Sequence, residues 1–147
     1  MNKDPIKMLL EHAHVKLDNA GVRLGELLAS EAMASKRLEL LENYRKEYRD
    51  KFMSAAKEGI GPDAWRNYSS FLGKLDEAIA HQQQIVTQSK HQTALGQASW
   101  LHERSRMKAF DTLHQRQVSA LGRRDQLREQ KGNDDRSSSK KPEDMEE

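Results

Sequence analysis

The sequence predicts an all-α protein, a long antiparallel two-helix coiled-coil hairpin, on three observations. In the first half Leu10, Leu17, Leu24, Glu31, Leu38, Arg45 and Phe52 recur at every seventh position, beside a companion row of Ile6, Ala13, Ala20, Leu27, Ala34, Leu41, Tyr48 and Ala55. The same period returns in the second half as Trp65, Leu72, Ile79, Val86, Thr93, Trp100, Met107, His114 and Leu121, beside Tyr68, Leu75, Gln82, Ser89, Gly96, Glu103, Phe110 and Gln117. Between the two repeats lies Lys57-Glu58-Gly59-Ile60-Gly61-Pro62-Asp63. A repeat of seven held this long marks the a and d positions of a coiled coil, and a Gly/Pro turn between two such repeats folds one helix back on the other.

Helix one is expected over residues 4 to about 57. Asp4 can accept from free backbone N–H groups, and Pro5 suits the first helical position because it has no hydrogen to leave unpaired. At about 1.5 Å of rise per residue such a helix is roughly 80 Å long. The turn is expected over 58–62. Gly59 stands where a left-handed helix terminator belongs, while Pro62 and Asp63 begin helix two with a fixed φ and a charge favourable to the helix dipole. Helix two should run from Pro62 to about Lys131, roughly 100 Å by the same rise. Residues 132–147 are serine-rich and highly charged, with Met145 as the one apolar side chain. They are expected to form a disordered charged tail after a single coiled-coil unit over 1–131.

A turn centred near residue 60 makes antiparallel partners sum to about 120. This sets Phe52 opposite Tyr68, Tyr48 opposite Leu72, Leu41 opposite Ile79, Ala34 opposite Val86, Ala20 opposite Trp100, Ala13 opposite Met107 and Leu10 opposite Phe110. Large residues repeatedly face small ones, which fills layers without strain. The expected core therefore comprises Leu10, Leu17, Leu24, Leu41, Tyr48, Phe52, Trp65, Tyr68, Leu72, Ile79, Val86, Trp100, Met107 and Phe110. Glu31 opposite Ser89 and Leu24 opposite Gly96 are thin layers where looser packing is expected. Arg45 and Glu103 are expected to send their charges outward over the seam's edge.

Composition agrees with this architecture. The 147 residues are 35% hydrophobic and 33% charged but only 5% aromatic, enough for a seam and too little for a thick core. There is no cysteine, so neither disulfides nor thiolate metal sites arise. No stretch approaches the roughly 18 apolar residues of a membrane span, and the N-terminus leads into an amphipathic helix instead of an apolar signal core, so a soluble protein is expected. A net charge of +2 makes no demand for nucleic acid. His12 and His14 point to different sides of a helix, so with His114 they do not build a metal site. No phosphate loop, nucleotide-binding turn or nucleophile elbow is present, and a two-helix hairpin encloses no pocket. No enzyme activity and no cofactor are expected.

Two features exceed what a seam needs. Phe71, Ala78 and Ile85 repeat at seven beside the seam and, with Leu75 and Gln82, widen the apolar face of helix two. They suit either the hairpin's flank or an exposed docking strip for a partner helix. From Arg104 to Arg128, seven Lys or Arg residues stand against Asp111 and Asp125, where helix two overhangs helix one. Such a run is a solvated basic face or a contact with an acidic protein surface.

The chain resembles the flagellar FliJ family, small cytoplasmic components of bacterial flagellar type III export. The resemblance covers nearly the whole chain up to the tail and rests on length, hairpin layout, Tyr44-Arg45-Lys46-Glu47-Tyr48-Arg49, Trp65-Arg66-Asn67-Tyr68, Phe71-Leu72 and Gln115-Arg116-Gln117. It implies a coiled coil similar to the stalk of rotary ATP synthases, inserted into the hexameric ring of the export ATPase without hydrolysing ATP itself. It further implies promotion of ring assembly and activity, contact with the export gate protein FlhA, escort of empty export chaperones, and hence a part in flagellum biogenesis and motility. The strip associated with gate binding matches Phe71, Leu75, Ala78 and Gln82, a glutamine standing where relatives carry histidine. Both chain ends would form the tip that enters the ring, with Arg104, Arg106, Arg116 and Arg123 as its contacts. The protein would be a monomer when free, cytoplasmic, and peripherally associated with the inner-membrane export apparatus.

A stalk of a needle-type secretion system shares these features. A self-associating coiled-coil scaffold is the alternative of another class, and it predicts that the Phe71 stripe closes a homodimer or larger bundle.

Overall fold

A computed structural model describes residues 4–140, with side chains through 137. It contains two helices, α1 (Pro5–Glu58, 54 residues) and α2 (Pro62–Lys140, 79 residues), packed against each other, and no strand among the described residues. Three residues, Gly59-Ile60-Gly61, connect them. Gly59 takes φ +93°, a left-handed conformation costly for any residue with a Cβ, and its N–H donates to the Ala56 carbonyl at 3.3 Å to close α1. The Trp65 N–H then donates to the Gly61 carbonyl at 3.1 Å, opening α2 around Pro62.

The end of α2 differs from expectation. The helix continues nine residues past Lys131, through most of the segment expected to be a disordered tail. Gln126 to Lys131 are strong helix formers, Gly132 and the Asn, Asp and Ser residues after it are weak ones but not breakers, and the next proline is Pro142. The i→i−4 ladder thus meets no breaker until proline restricts the residue before it. The rest of the expected tail, 141–147, lies outside the described residues.

Contacts cluster into two units, one comprising 18–102 and the other 1–17 with 103–147. In the first, every a and d position from Ala20 to Ala55 on α1 and from Tyr68 to Trp100 on α2 is buried or half-buried. Ala34, Phe52, Leu75 and Val86 are its most enclosed apolar residues. Trp65, expected in the core, is instead 51% exposed, because it is the first seam residue after the turn, where its ring packs on Phe52. The antiparallel register is visible in individual contacts: Phe52 on Tyr68, the Thr93 hydroxyl toward the Leu27 carbonyl, and Gly21 beside Trp100.

The layer at Leu24 and Gly96 is closed over the glycine itself, while a depression lined by Ala20, Leu27 and Gly96 opens at its edge. A Cβ on Gly96 would lie 2.5 Å from Leu27 Cδ1 and 3.8 Å from Leu24 Cδ1, so both leucines occupy the space that the missing side chain leaves. The layer at Glu31 and Ser89 is thin, as expected, and beside it a shallow groove is lined by Leu27, Ser30, Ile85 and Ser89.

In the second unit, the seam positions from Ile6 to Leu17 and from Glu103 to Gln117 are buried or half-buried, with Leu10 and Ala13 the most enclosed. Asp4 anchors the start of α1. Its carboxylate accepts the Ile6 N–H at 3.0 Å, a helix cap whose loss typically costs about 1 kcal/mol. Hydrogen bonding orients the Gln117 amide so that its nitrogen donates to both Asp4 oxygens, at 3.2 and 3.1 Å, and His114 Nδ1 stands 3.8 Å away, beyond hydrogen-bond reach. One acid departs from expectation. Glu103 turns inward enough that its Oε2 is buried without a hydrogen-bond partner. Beyond Gln117, every residue of α2 from Val118 to Ser137 is exposed.

Candidate functional site

The strip beside the turn is built on six aromatic rings. Phe52 packs on Trp65 and Tyr68 at centroid separations of 4.9 and 5.1 Å, and Tyr48 packs on Tyr68 and Phe71 at 5.4 and 4.5 Å. Tyr44 meets Phe71 edge-on at 6.2 Å, an arrangement in which the positive ring edge faces the negative π-face. Burial, together with the neighbouring Tyr68 and Tyr44 phenols, pushes the Tyr48 hydroxyl above its ordinary range. The neutral phenol is therefore the packed form, and its contribution is lost only as pH rises through that raised value.

These contacts place the four residues of the expected gate-binding strip. Phe71 is half-buried between Tyr44 and Tyr48 on the hairpin's flank, and Ala78 is exposed one heptad on. Leu75 and Gln82 sit in the seam itself, 7% and 8% exposed. Gln82 donates its amide to the Ala34 carbonyl at 3.0 Å, which pairs a buried polar group and fixes the register at that layer. Only Phe71 and Ala78 therefore offer surface, while Leu75 and Gln82 hold α2 against α1 behind them.

Sequence reasoning missed the α1 side of this flank. Tyr44 lies one residue before a seam position, as Phe71 does on α2, and in an antiparallel pair such rows face each other. The same rows continue to a depression lined by Arg23, Leu27, Gln92, Leu95 and Ser99. The opposite flank is bridged by Arg45 and Asp76 at 2.5 Å, so Arg45 does turn outward, toward a carboxylate that further raises its already high pKa.

The four expected ring-contact residues, Arg104, Arg106, Arg116 and Arg123, are all exposed. Arg116 and Arg123 lie at and beyond the last α1 contact, and Arg124 and Arg128 continue the basic run. Among the described residues no three His, Asp or Glu side chains are placed to hold a metal ion, and no helix is long and apolar enough to cross a membrane.

By class, this is a two-helix antiparallel coiled-coil protein with one widened apolar flank and a basic helical extension. The profile of the flagellar FliJ protein family matches residues 2–141. The flagellar FliJ protein of Salmonella typhi is 30% identical over 141 residues, covering 94% of this chain and 96% of its own length. That of Escherichia coli (strain K12) is 30% identical over 112 residues, 76% of each chain. The chain belongs to the flagellar FliJ family and is a component of bacterial flagellum biogenesis and flagellar protein export.

Proposed function

We propose that the chain is the non-enzymatic stalk of the flagellar export ATPase. The α2 extension from Val118 onward, with the start of α1 at its base, inserts into the hexameric ring, promotes its assembly and stimulates its activity. The observation that carries this reading is the extension itself: a helix that runs on past its contact with the start of α1, exposed from Val118 to Ser137, and basic at Arg123, Arg124 and Arg128. Isolated helices are marginal in water unless a partner covers them, and a basic one is suited to acidic walls. Phe71 and Ala78 contact the export gate protein FlhA, with Leu75 and Gln82 holding the presenting face. The same protein escorts empty export chaperones and works in the cytoplasm, as a monomer when free, peripherally attached to the membrane export apparatus.

The test is the ATP hydrolysis rate of the organism's purified flagellar export ATPase with and without this chain, with ring formation followed by electron microscopy. Stimulation and more rings are expected, and both should weaken when Arg104, Arg106, Arg116 and Arg123 are replaced by glutamate. An unchanged rate and unchanged ring count would overturn the stalk reading in favour of a self-associating scaffold. In that case substituting Phe71 and Leu75 by alanine would change the mass in solution.

A further inference from the structure

We infer that the flank of the 18–102 unit carrying Tyr44, Phe71 and Ile85 is a groove made by both helices, and that it takes an amphipathic helix whose border is acidic. The inference rests on the reading of Phe71 and Ala78 as a partner-docking surface and extends it to α1 and to a defined class of ligand.

The groove is read from rows and contacts. On α2 the row Phe71, Ala78, Ile85, Gln92, Ser99 borders the seam, and on α1 the facing row is Arg23, Ser30, Arg37, Tyr44. Three observations join them along the unit: the Tyr44–Phe71 ring contact, the depression shared by Ser30 and Ile85, and the depression shared by Arg23 and Gln92. Leu27 and Gln92 line both depressions, so the two belong to one surface. Its apolar floor includes Tyr44 at 49%, Ile85 at 36% and Leu95 at 54% exposure.

The occupant follows from shape and charge. A helix that is apolar at a, d and one adjoining row has a face wider than one partner can cover, and a third helix laid in the groove covers the remainder. Together the two facing rows in this stretch carry two charges, Arg23 and Arg37, both on α1, and no carboxylate. The other flank differs, with Glu42, Asp76, Arg49 and Lys90 in its rows and the Arg45–Asp76 pair bridging it. Arg23 and Arg37 are two heptads apart, about 21 Å along α1. The ligand is thus a helix of about three heptads with an apolar stripe and acidic residues spaced by two heptads on one border.

The experiment titrates the full chain with two synthetic helical peptides of three heptads, identical in their leucine stripe and bordered by glutamates in one and lysines in the other. Binding is followed by anisotropy and mapped by amide shifts. The glutamate peptide should bind on the order of tenfold more tightly than the lysine peptide, as two rim ion pairs allow. Its shifts should centre on Tyr44, Phe71, Ile85 and Gln92, and the double variant Arg23→Glu/Arg37→Glu, both positions being exposed, should reverse the preference. Ile85→Asp should abolish binding of either peptide.

Equal affinities, shifts elsewhere or no binding would overturn the groove. Titration with the purified cytoplasmic region of FlhA separates this from the parent reading. A gate protein that binds the native chain and is lost with Phe71→Ala, yet ignores the arginine reversal, sinks the groove and keeps the gate. A chain that takes the glutamate peptide but not the gate protein keeps the groove and sinks the gate.

Discussion

The turn end and the middle of the 18–102 unit obey the same heptad and are held together differently. At the turn end, Tyr44, Tyr48, Phe52, Trp65, Tyr68 and Phe71 form a chain of ring contacts, so cohesion comes from area and from edge-to-face geometry. In the middle, Leu24, Leu27, Ala34 and Val86 share the seam with Gln82, Ser89, Thr93 and Gly96, and specific polar bonds supplement a smaller apolar area. Gln82 reaches the Ala34 carbonyl, and Thr93 bonds the Ser89 carbonyl at 3.0 Å while approaching that of Leu27 at 3.4 Å. An apolar layer can slide by a heptad and still bury surface, but a side chain bonded across the seam loses its partner on sliding. The aromatic end therefore supplies stability and the polar middle supplies register. Small residues in the middle also leave the flank open as a groove.

The largest expected effect breaks the aromatic end. Phe52 is 8% exposed and touches two rings across the seam, so Phe52→Ala removes both contacts and leaves a void beside Trp65 and Tyr68. A loss of about 3 kcal/mol is expected, at the lower end for a buried phenylalanine because a two-helix seam can partly collapse. Thermal unfolding followed by far-ultraviolet circular dichroism measures it. A loss below about 1 kcal/mol, the level of an average substitution, would show that cohesion does not concentrate there.

A smaller and more diagnostic effect separates stability from register in the middle. Gln82→Ala removes a buried hydrogen bond and side-chain volume at once, for an expected loss of about 2 kcal/mol. Gln82→Leu restores volume without the bond and should come within about 1 kcal/mol of the native chain. The two variants should differ in a second readout. Paired spin labels at exposed positions 36 and 83, across the seam near this layer, should report one narrow distance in the native chain and a broader distribution in Gln82→Leu. A leucine variant as narrow as the native chain would remove the register role from Gln82.

The heptad, the turn and the pairing register were legible because they depend on period and on backbone chemistry, which neighbouring residues do not alter. Gly59 and Pro62 could be placed for the same reason: a positive φ and a missing N–H are local facts. What could not be read required two helices at once. Glycine at 96 looked like a gap until Leu24 and Leu27 were seen to lean across it from the other helix. Phe71 looked like surplus apolar surface until Tyr44 was found against its edge. Trp65 occupied a seam position in the pattern, yet a residue at the turn has neighbours on one side only. The end of α2 lies nine residues past the expected one for another reason. Composition argues for disorder where burial is lacking, but a helix under way costs little to extend, since each added residue closes one further hydrogen bond.

The finest comparison lies within the middle itself and sets Gly96 against Gly25. Both are glycines in a helix interior, and alanine should favour the helix at either by about 1 kcal/mol. At Gly25 nothing lies within 4 Å of the added Cβ, so Gly25→Ala should raise the melting temperature. At Gly96 the same methyl meets Leu27 Cδ1 at 2.5 Å, and the leucine must rotate away into the flank groove that it lines. That rotation costs about as much as the propensity gain, since an off-rotamer or displaced side chain is worth about 0.5–1.5 kcal/mol. Gly96→Ala should therefore leave stability nearly unchanged while Gly25→Ala raises it, the gap being read as a difference in melting temperature between the two single variants. Equal gains at both sites would mean that Leu27 moves freely and that the middle of the seam is no more closely fitted than its exposed back.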